Sequence, residues 1–145
     1  MKVLVLDGPN LNMLGKRDPA VYGSESLEQI HDSMREKFPE VSFEFFQSNH
    51  EGQLIDKIHT SFSSIDALII NPGALAHYSI ALHDAIEICS VPVVEVHLSN
   101  ISAREEFRHK SVISPVCTGI IGGFGKNSYL LAVHAVIHEL RKKGA

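Results

Sequence analysis

The sequence predicts an α/β fold built on a parallel sheet with helices on both faces. Two observations carry this. Short apolar runs at 3–6, 41–46, 67–70, 91–96 and 118–121 read as buried strands. Between them lie stretches of helical character at 26–38, 52–62, 79–88, 102–107 and 126–143. Such alternation implies parallel strands joined by crossover helices. No linker, low-complexity tract or internal repeat divides the chain, so 1–145 reads as a single domain. Five strands fit a flavodoxin-like three-layer sandwich of strand order 2-1-3-4-5.

The first strand, Val3-Leu-Val-Leu6, is followed by a long connection with no helical periodicity until about Ser26. Connections of this length inside a compact domain are usually lids or binding loops, and residues 15–24 are the expected lid. The first helix carries Leu27, Ile30, Met34 and Phe38 on one stripe and stops at Pro39. The last carries Leu130, Val133, Ile137 and Leu140, with Arg141, Lys142 and Lys143 in its final turn, where cations complement the helix dipole. His31, His59, His134 and His138 fall within helices and read as surface or boundary residues.

Composition narrows the function classes. Net charge is −4 with histidines neutral, which argues against nonspecific nucleic-acid binding. A small anionic substrate remains compatible, because local charge can oppose net charge. Cys89 and Cys117 have no metal-binding spacing and sit in apolar surroundings, as thiols do in a reducing cytoplasm. No apolar run reaches membrane-spanning length and no zinc motif occurs, so a cytoplasmic protein with no membrane partner and no bound metal is expected.

Ligands in open α/β sheets bind beyond the carboxyl ends of the strands, where strand order reverses. The polar clusters DGPNLN, NPGALAHYS and EVHLSN leave strands one, three and four and converge there. Asn71-Pro-Gly reads equally well as a plain strand-to-helix turn, with Gly73 permitting close backbone approach. Glu95 and His97, two apart on a strand, share a face. A carboxylate beside an imidazole favours its charged form and fixes its orientation, as a general acid requires. Ser102-x-x-Glu105 matches a capping box, which suggests an anion site in the amides around 98–102. Salt bridges to Glu105 and Glu106 account for Arg104, which leaves Arg108 the better candidate to reach a ligand. Gly119, Gly122, Gly123 and Gly125 match no phosphate-loop spacing and read as a tight turn. Tyr22 is a base only if ionised, and phenols ordinarily ionise near pH 10. A guanidinium at about 4 Å supplies ~1 kcal/mol in water but ~4 at an effective dielectric near 20. Arg17 therefore activates Tyr22 only under a closed lid that excludes water.

Three spaced motifs, G-P-N-L-N-x-L-G-x-R-x-P-x-x-Y-G, N-P-G-A-x-x-H and E-V-H-x-S-N-x-x-x-R-E-x-F-R, resemble those of type II 3-dehydroquinate dehydratases. The resemblance implies a cofactor-free lyase of the shikimate or quinate pathway. Its reaction is anti elimination of water from 3-dehydroquinate through an enolate, giving 3-dehydroshikimate. By similarity Tyr22 is the base, assisted by Arg17, and Asn12 stabilises the enolate. His97, oriented by Glu95, protonates the leaving hydroxyl. Leu98 and Ser99 amides hold the carboxylate. Asn71, His77 and Arg108 hold hydroxyls, with Gly73 in the same binding turn. Asp84 approaches a neighbouring subunit's site in a dodecamer, a tetramer of trimers. Departures are Asp7 where asparagine is more frequent, Met13 for leucine, and Ala76 for threonine. The alternatives are a flavin- or nucleotide-binding module and a receiver-like phosphoacceptor domain, though the latter lacks an aspartate at position 71.

Overall fold

The computed structural model describes residues 1–16 and 18–144. Its strands are β1 (Lys2–Asp7), β2 (Ser42–Gln47), β3 (Ala67–Asn71), β4 (Val93–His97) and β5 (Gly119–Gly122). They lie in one parallel sheet of order β2-β1-β3-β4-β5, as the sequence predicts. The helices are α1 (Pro19–Tyr22), α2 (Leu27–Lys37), α3 (Glu51–Ser61), α4 (Ile80–Glu87) and α5 (Asn127–Gly144).

Alternation along the strands divides the core in two. Val3, Val5, Ile69, Val94 and Val96 pack with Leu27, Ile30 and Met34 of α2 and with Val133 and Val136 of α5. Leu4, Leu6, Leu68 and Ile70 point the other way, onto Leu54 and Ile58 of α3 and Leu82 and Ile86 of α4. Both faces of the sheet are covered, which is why the central strands are continuous apolar runs. The carboxyl ends of β1, β3 and β4 are thereby held rigidly side by side. Ser26 opens α2 with a capping box completed by Gln29, and Ser79 caps α4 by accepting from the Leu82 amide. Among the described residues no helix is long and apolar enough to cross a membrane.

Three expectations are corrected. The connection after β1 is not devoid of helix: it contains a 3₁₀ turn at Leu11–Met13 and the single turn of α1. Residues 102–107 are not one helix but two 3₁₀ turns, Ile101–Ala103 and Glu106–Arg108. Asn100, not Ser102, provides the cap by accepting from the Ser102 amide, and Arg104 between the turns is extended at φ −105°, ψ −165°. The S-x-x-E spacing therefore makes no capping box here. Finally, His31 is buried, because its Nε2 meets the Asp7 carboxylate at 2.8 Å and its ring stacks on Phe45.

Candidate active site

The connections leaving β1 and β3 touch. The Gly8 amide donates to the Asn71 carbonyl at 2.8 Å. A Cβ on Gly8 would lie 2.5 Å from the Pro72 carbonyl oxygen, so only glycine allows this approach. Gly73 turns the chain at φ +59°, a conformation that favours glycine, and its amide donates to Asn71 Oδ1 at 3.2 Å. Beyond these contacts opens a cavity of about 110 Å³. Its wall brings together Tyr22, Asn71, Gly73, His77, His97, Leu98, Ser99 and Arg108, all selected from sequence.

His97 and Glu95 are both buried at the end of β4, with Nε2 and the carboxylate 2.5 Å apart. The other carboxylate oxygen accepts from the hydroxyls of Ser111 at 2.9 Å and Ser114 at 2.5 Å. Three donors converge on one buried carboxylate, which stabilises its charge. A carboxylate only accepts, so His97 Nε2 carries hydrogen and Nδ1 is left for a ligand. The same reasoning makes His77 Nδ1 a donor to the Lys110 carbonyl at 2.9 Å. The two imidazoles lie near-parallel with centroids 6.3 Å apart.

Arg104 and Arg108 both line the cavity, and it is Arg104 that pairs with Tyr22. The Arg104 guanidinium donates to the Tyr22 hydroxyl at 2.7 Å and approaches the Ser99 hydroxyl at 3.5 Å. His109 holds the Arg104 carbonyl at 2.7 Å, fixing the backbone from which the side chain departs. Arg108 lines the cavity too but donates to Glu105 at 3.2 Å, which holds that carboxyl below the usual range after a backbone hydrogen bond of its own. The amides of Leu98 and Ser99 donate to no backbone carbonyl among the described residues, while the Leu98 carbonyl accepts from Gly125 at 3.0 Å. That bond orients the Leu98–Ser99 peptide at the cavity.

Not every candidate comes into the wall. Asn12 sits exposed on the 3₁₀ turn beside the cavity, and Asn10 lines it instead. Asp84 is exposed on α4, hydrogen-bonded to His83. Ala76 is fully buried. Arg17 lies outside the described residues. Ser111, Ser114 and Arg104 were missed as site residues. For Arg104 the missing signal is tertiary, and for the serines a clue was available: a buried carboxylate needs donors.

Comparison with known proteins gives a consistent result. A family model described as dehydroquinase class II matches residues 1–137. The 3-dehydroquinate dehydratase of Caldicellulosiruptor bescii is 59% identical over 138 residues, covering 93% of this chain and 95% of the relative. That of Chlorobaculum tepidum is 58% identical over 137 residues, covering 93% of each. The crystal structure of a type II dehydroquinase from Butyrivibrio crossotus superposes with a TM-score of 0.91 at 45% identity, over 94% of this chain and 97% of that one.

Proposed function

The chain belongs to the class II dehydroquinase family, and we propose from that premise how its cavity dehydrates 3-dehydroquinate. The observation that carries the reading is the meeting of Tyr22, paired with Arg104, and His97, paired with Glu95, on one cavity wall. Tyr22 in its ionised form, with Arg104 hydrogen-bonded to it and Arg17 assisting as the family resemblance implies, takes the proton from C2. The C–H electrons form an enolate whose charge collects on the C3 oxygen. Asn12, from the turn beside the cavity, stabilises that oxygen through a held water. Collapse of the enolate forms the C1–C2 double bond and expels the C1 hydroxyl, which takes a proton from His97 and leaves as water. Tyr22 then returns its proton to solvent and His97 regains one. No external oxidant, reductant or cofactor is needed for this balance.

Binding follows the same geometry. The Leu98 and Ser99 amides receive the substrate carboxylate, and Asn71, His77 and Arg108 its hydroxyls, with Gly73 keeping the backbone close. The lid at 15–24 closes over the bound substrate, and excluding water strengthens every charge interaction inside. The site works within a homo-oligomer, which we assign as a dodecamer built as a tetramer of trimers. Asp84 approaches a neighbouring copy's cavity. Exposed Tyr78, Ile80 and Phe107, on or beside the turns that carry His77 and Arg108, support an interface between copies. Two free thiols accord with a cytoplasmic enzyme, serving either shikimate or quinate metabolism.

The test is direct. Purified protein mixed with 3-dehydroquinate should generate a conjugated enone, seen as rising ultraviolet absorbance, without added metal or cofactor. Absence of turnover would sink the proposal. Tyr22→Phe should abolish turnover while retaining binding of a substrate analogue.

A further inference from the structure

Beneath the cavity floor lies a buried polar chain that the proposed reaction does not use. Asp7 and Tyr129 are 0% exposed, Asn71 3% and His31 8%. The Tyr129 hydroxyl donates to Asp7 Oδ1 at 2.6 Å, and Asn71 Nδ2 donates to the Tyr129 oxygen at 2.9 Å. Asp7 Oδ2 meets His31 Nε2 at 2.8 Å. Both oxygens of this innermost carboxylate are thus occupied, one from α5 and one from α2.

The direction of each bond matters more than its strength. A phenol donates one hydrogen and accepts through its lone pairs, whereas a carboxylate only accepts. Asp7 therefore claims the Tyr129 hydrogen and leaves the phenol oxygen as an acceptor toward Asn71. Asn71 must turn its Nδ2 to Tyr129 and its Oδ1 to the Gly73 amide, which donates to it at 3.2 Å. A flipped carboxamide would set Oδ1 against an oxygen with no hydrogen to give, and two N–H groups against each other. Burial raises Tyr129 well above the usual phenol value, with the Asp7 charge as the next cause, so it remains a hydrogen donor across ordinary pH.

We propose that Tyr129 and Asp7 are positioning residues that fix the flip of the Asn71 carboxamide, and with it the donor and acceptor presented to the substrate's hydroxyls. The proposal rests on the substrate-binding role assigned to Asn71 above. It places specificity determinants one hydrogen bond (Tyr129) and two hydrogen bonds (Asp7) away from the Asn71 carboxamide. It also predicts that an amide at position 7 would preserve the arrangement. An asparagine there still accepts from Tyr129 through Oδ1 while its Nδ2 donates to a neutral His31, so the polarity at Asn71 is unchanged.

Two readouts test it. In steady-state kinetics with 3-dehydroquinate, Tyr129→Phe and Asp7→Ala should raise KM about tenfold with kcat changed less than about threefold, as for loss of one oriented binding contact. Asp7→Asn should restore most of the KM lost in Asp7→Ala. Tyr129→Phe added to Asn71→Ala should cost nothing further, because the partner it orients is already gone. In ¹⁵N-labelled ligand-free protein, the Asn71 side-chain amide resonance should move in Tyr129→Phe and Asp7→Ala but stay close to its original position in Asp7→Asn. An unchanged KM in Tyr129→Phe, additive effects in the double variant, or an unmoved resonance would each overturn the proposal. Should Tyr129→Phe fail to fold, the contrast between Asp7→Ala and Asp7→Asn decides the matter. If the unaltered protein fails to turn over 3-dehydroquinate, the functional reading falls, and the resonance still decides whether the chain orients Asn71.

Discussion

The Arg104 guanidinium donates to the Tyr22 hydroxyl at 2.7 Å and lies 5.1 Å from the ring centroid, although 82 residues separate the two in sequence. The extended backbone at Arg104, set between two 3₁₀ turns, is what carries the side chain across. If Arg104 holds the base in place and neutralises its charge, Arg104→Ala should lower kcat about ten- to a hundredfold, the usual cost of a charge-assisted hydrogen bond. Arg104→Lys should recover only part of this, since an ammonium keeps the charge but not the planar fork that bonds and stacks at once. Steady-state kinetics of the pair would decide. Equal activity of Arg104→Ala and the unaltered enzyme would remove Arg104 from the mechanism.

Glu95 presents a second, independent expectation. Its carboxylate is buried, and Ser111 and Ser114 supply two of the donors that make this tolerable. Ser114→Ala should lower kcat about tenfold with little change in KM, because the lost bond costs ~1–2 kcal/mol at a group proposed to act through His97. Ser111→Ala should be milder, its bond being the longer at 2.9 Å. A KM effect without a kcat effect would show that the serines support binding rather than the acid.

Much of this architecture was legible because it follows from local pattern. The central strands are apolar on both faces since helices cover both, and that made 3–6 and 67–70 readable at once. The sheet edges were harder. Residues of β5 are exposed or half-buried, so only the apolar character of Ile120 and Ile121 marked it. His97 and Glu95 were readable from a period of two. The short helices around Arg104 were not, because Asn100 rather than Ser102 supplies the cap and the chain between the turns straightens. His31 was misplaced for a related reason. Its helical position is ordinary, and only the fold brings it under the buried end of β1, where Asp7 needs a partner. Bonds such as Tyr129 to Asp7, spanning 122 residues, leave no periodic trace in a single sequence.

The contact of the loops after β1 and β3 should be sensitive to a single methyl group. In Gly8→Ala the new Cβ would meet the Pro72 carbonyl carbon at 2.7 Å and its oxygen at 2.5 Å, both backbone atoms that cannot swing aside. Relief requires parting the two strand ends, at a cost of about 1–3 kcal/mol. For a chain of this size that lowers Tm by roughly 2–10 °C, and KM should rise because Asn71 and Gly73 move with Pro72. Gly52→Ala is the control. Nothing lies within 4 Å of its Cβ on α3, and alanine favours helix, so Tm should hold or rise. Calorimetry on both variants gives the comparison.

Alkaline stability should reveal two proton donors, the half-buried Cys117 and the buried Tyr129. Burial pushes the Cys117 thiol up to about 12, with the Glu95 and Cys89 charges adding to it, and raises the Tyr129 phenol well above its ordinary value. In the unfolded chain these groups release their protons near pH 9 and 10, while the folded protein still holds them. The stability they contribute is complete below those unfolded values. It is lost as pH rises toward the folded ones, since the unfolded state then binds fewer protons. Each retained proton steepens the fall by about 1.4 kcal/mol per pH unit. Urea unfolding at intervals from pH 7 to 11 should therefore show a plateau and then a decline beginning above about 9. Cys117→Ala and Tyr129→Phe should each flatten that decline, whatever their offset at neutral pH, with Cys117→Ala acting first. A thiol-reactive dye should agree. At pH 8 the thiolate fraction of Cys117 falls on the order of a thousandfold below that of an unfolded cysteine, so labelling of the native protein should be slow until it is denatured. Rapid native labelling of Cys117, or an alkaline slope untouched by either substitution, would contradict the burial that assigns them these values.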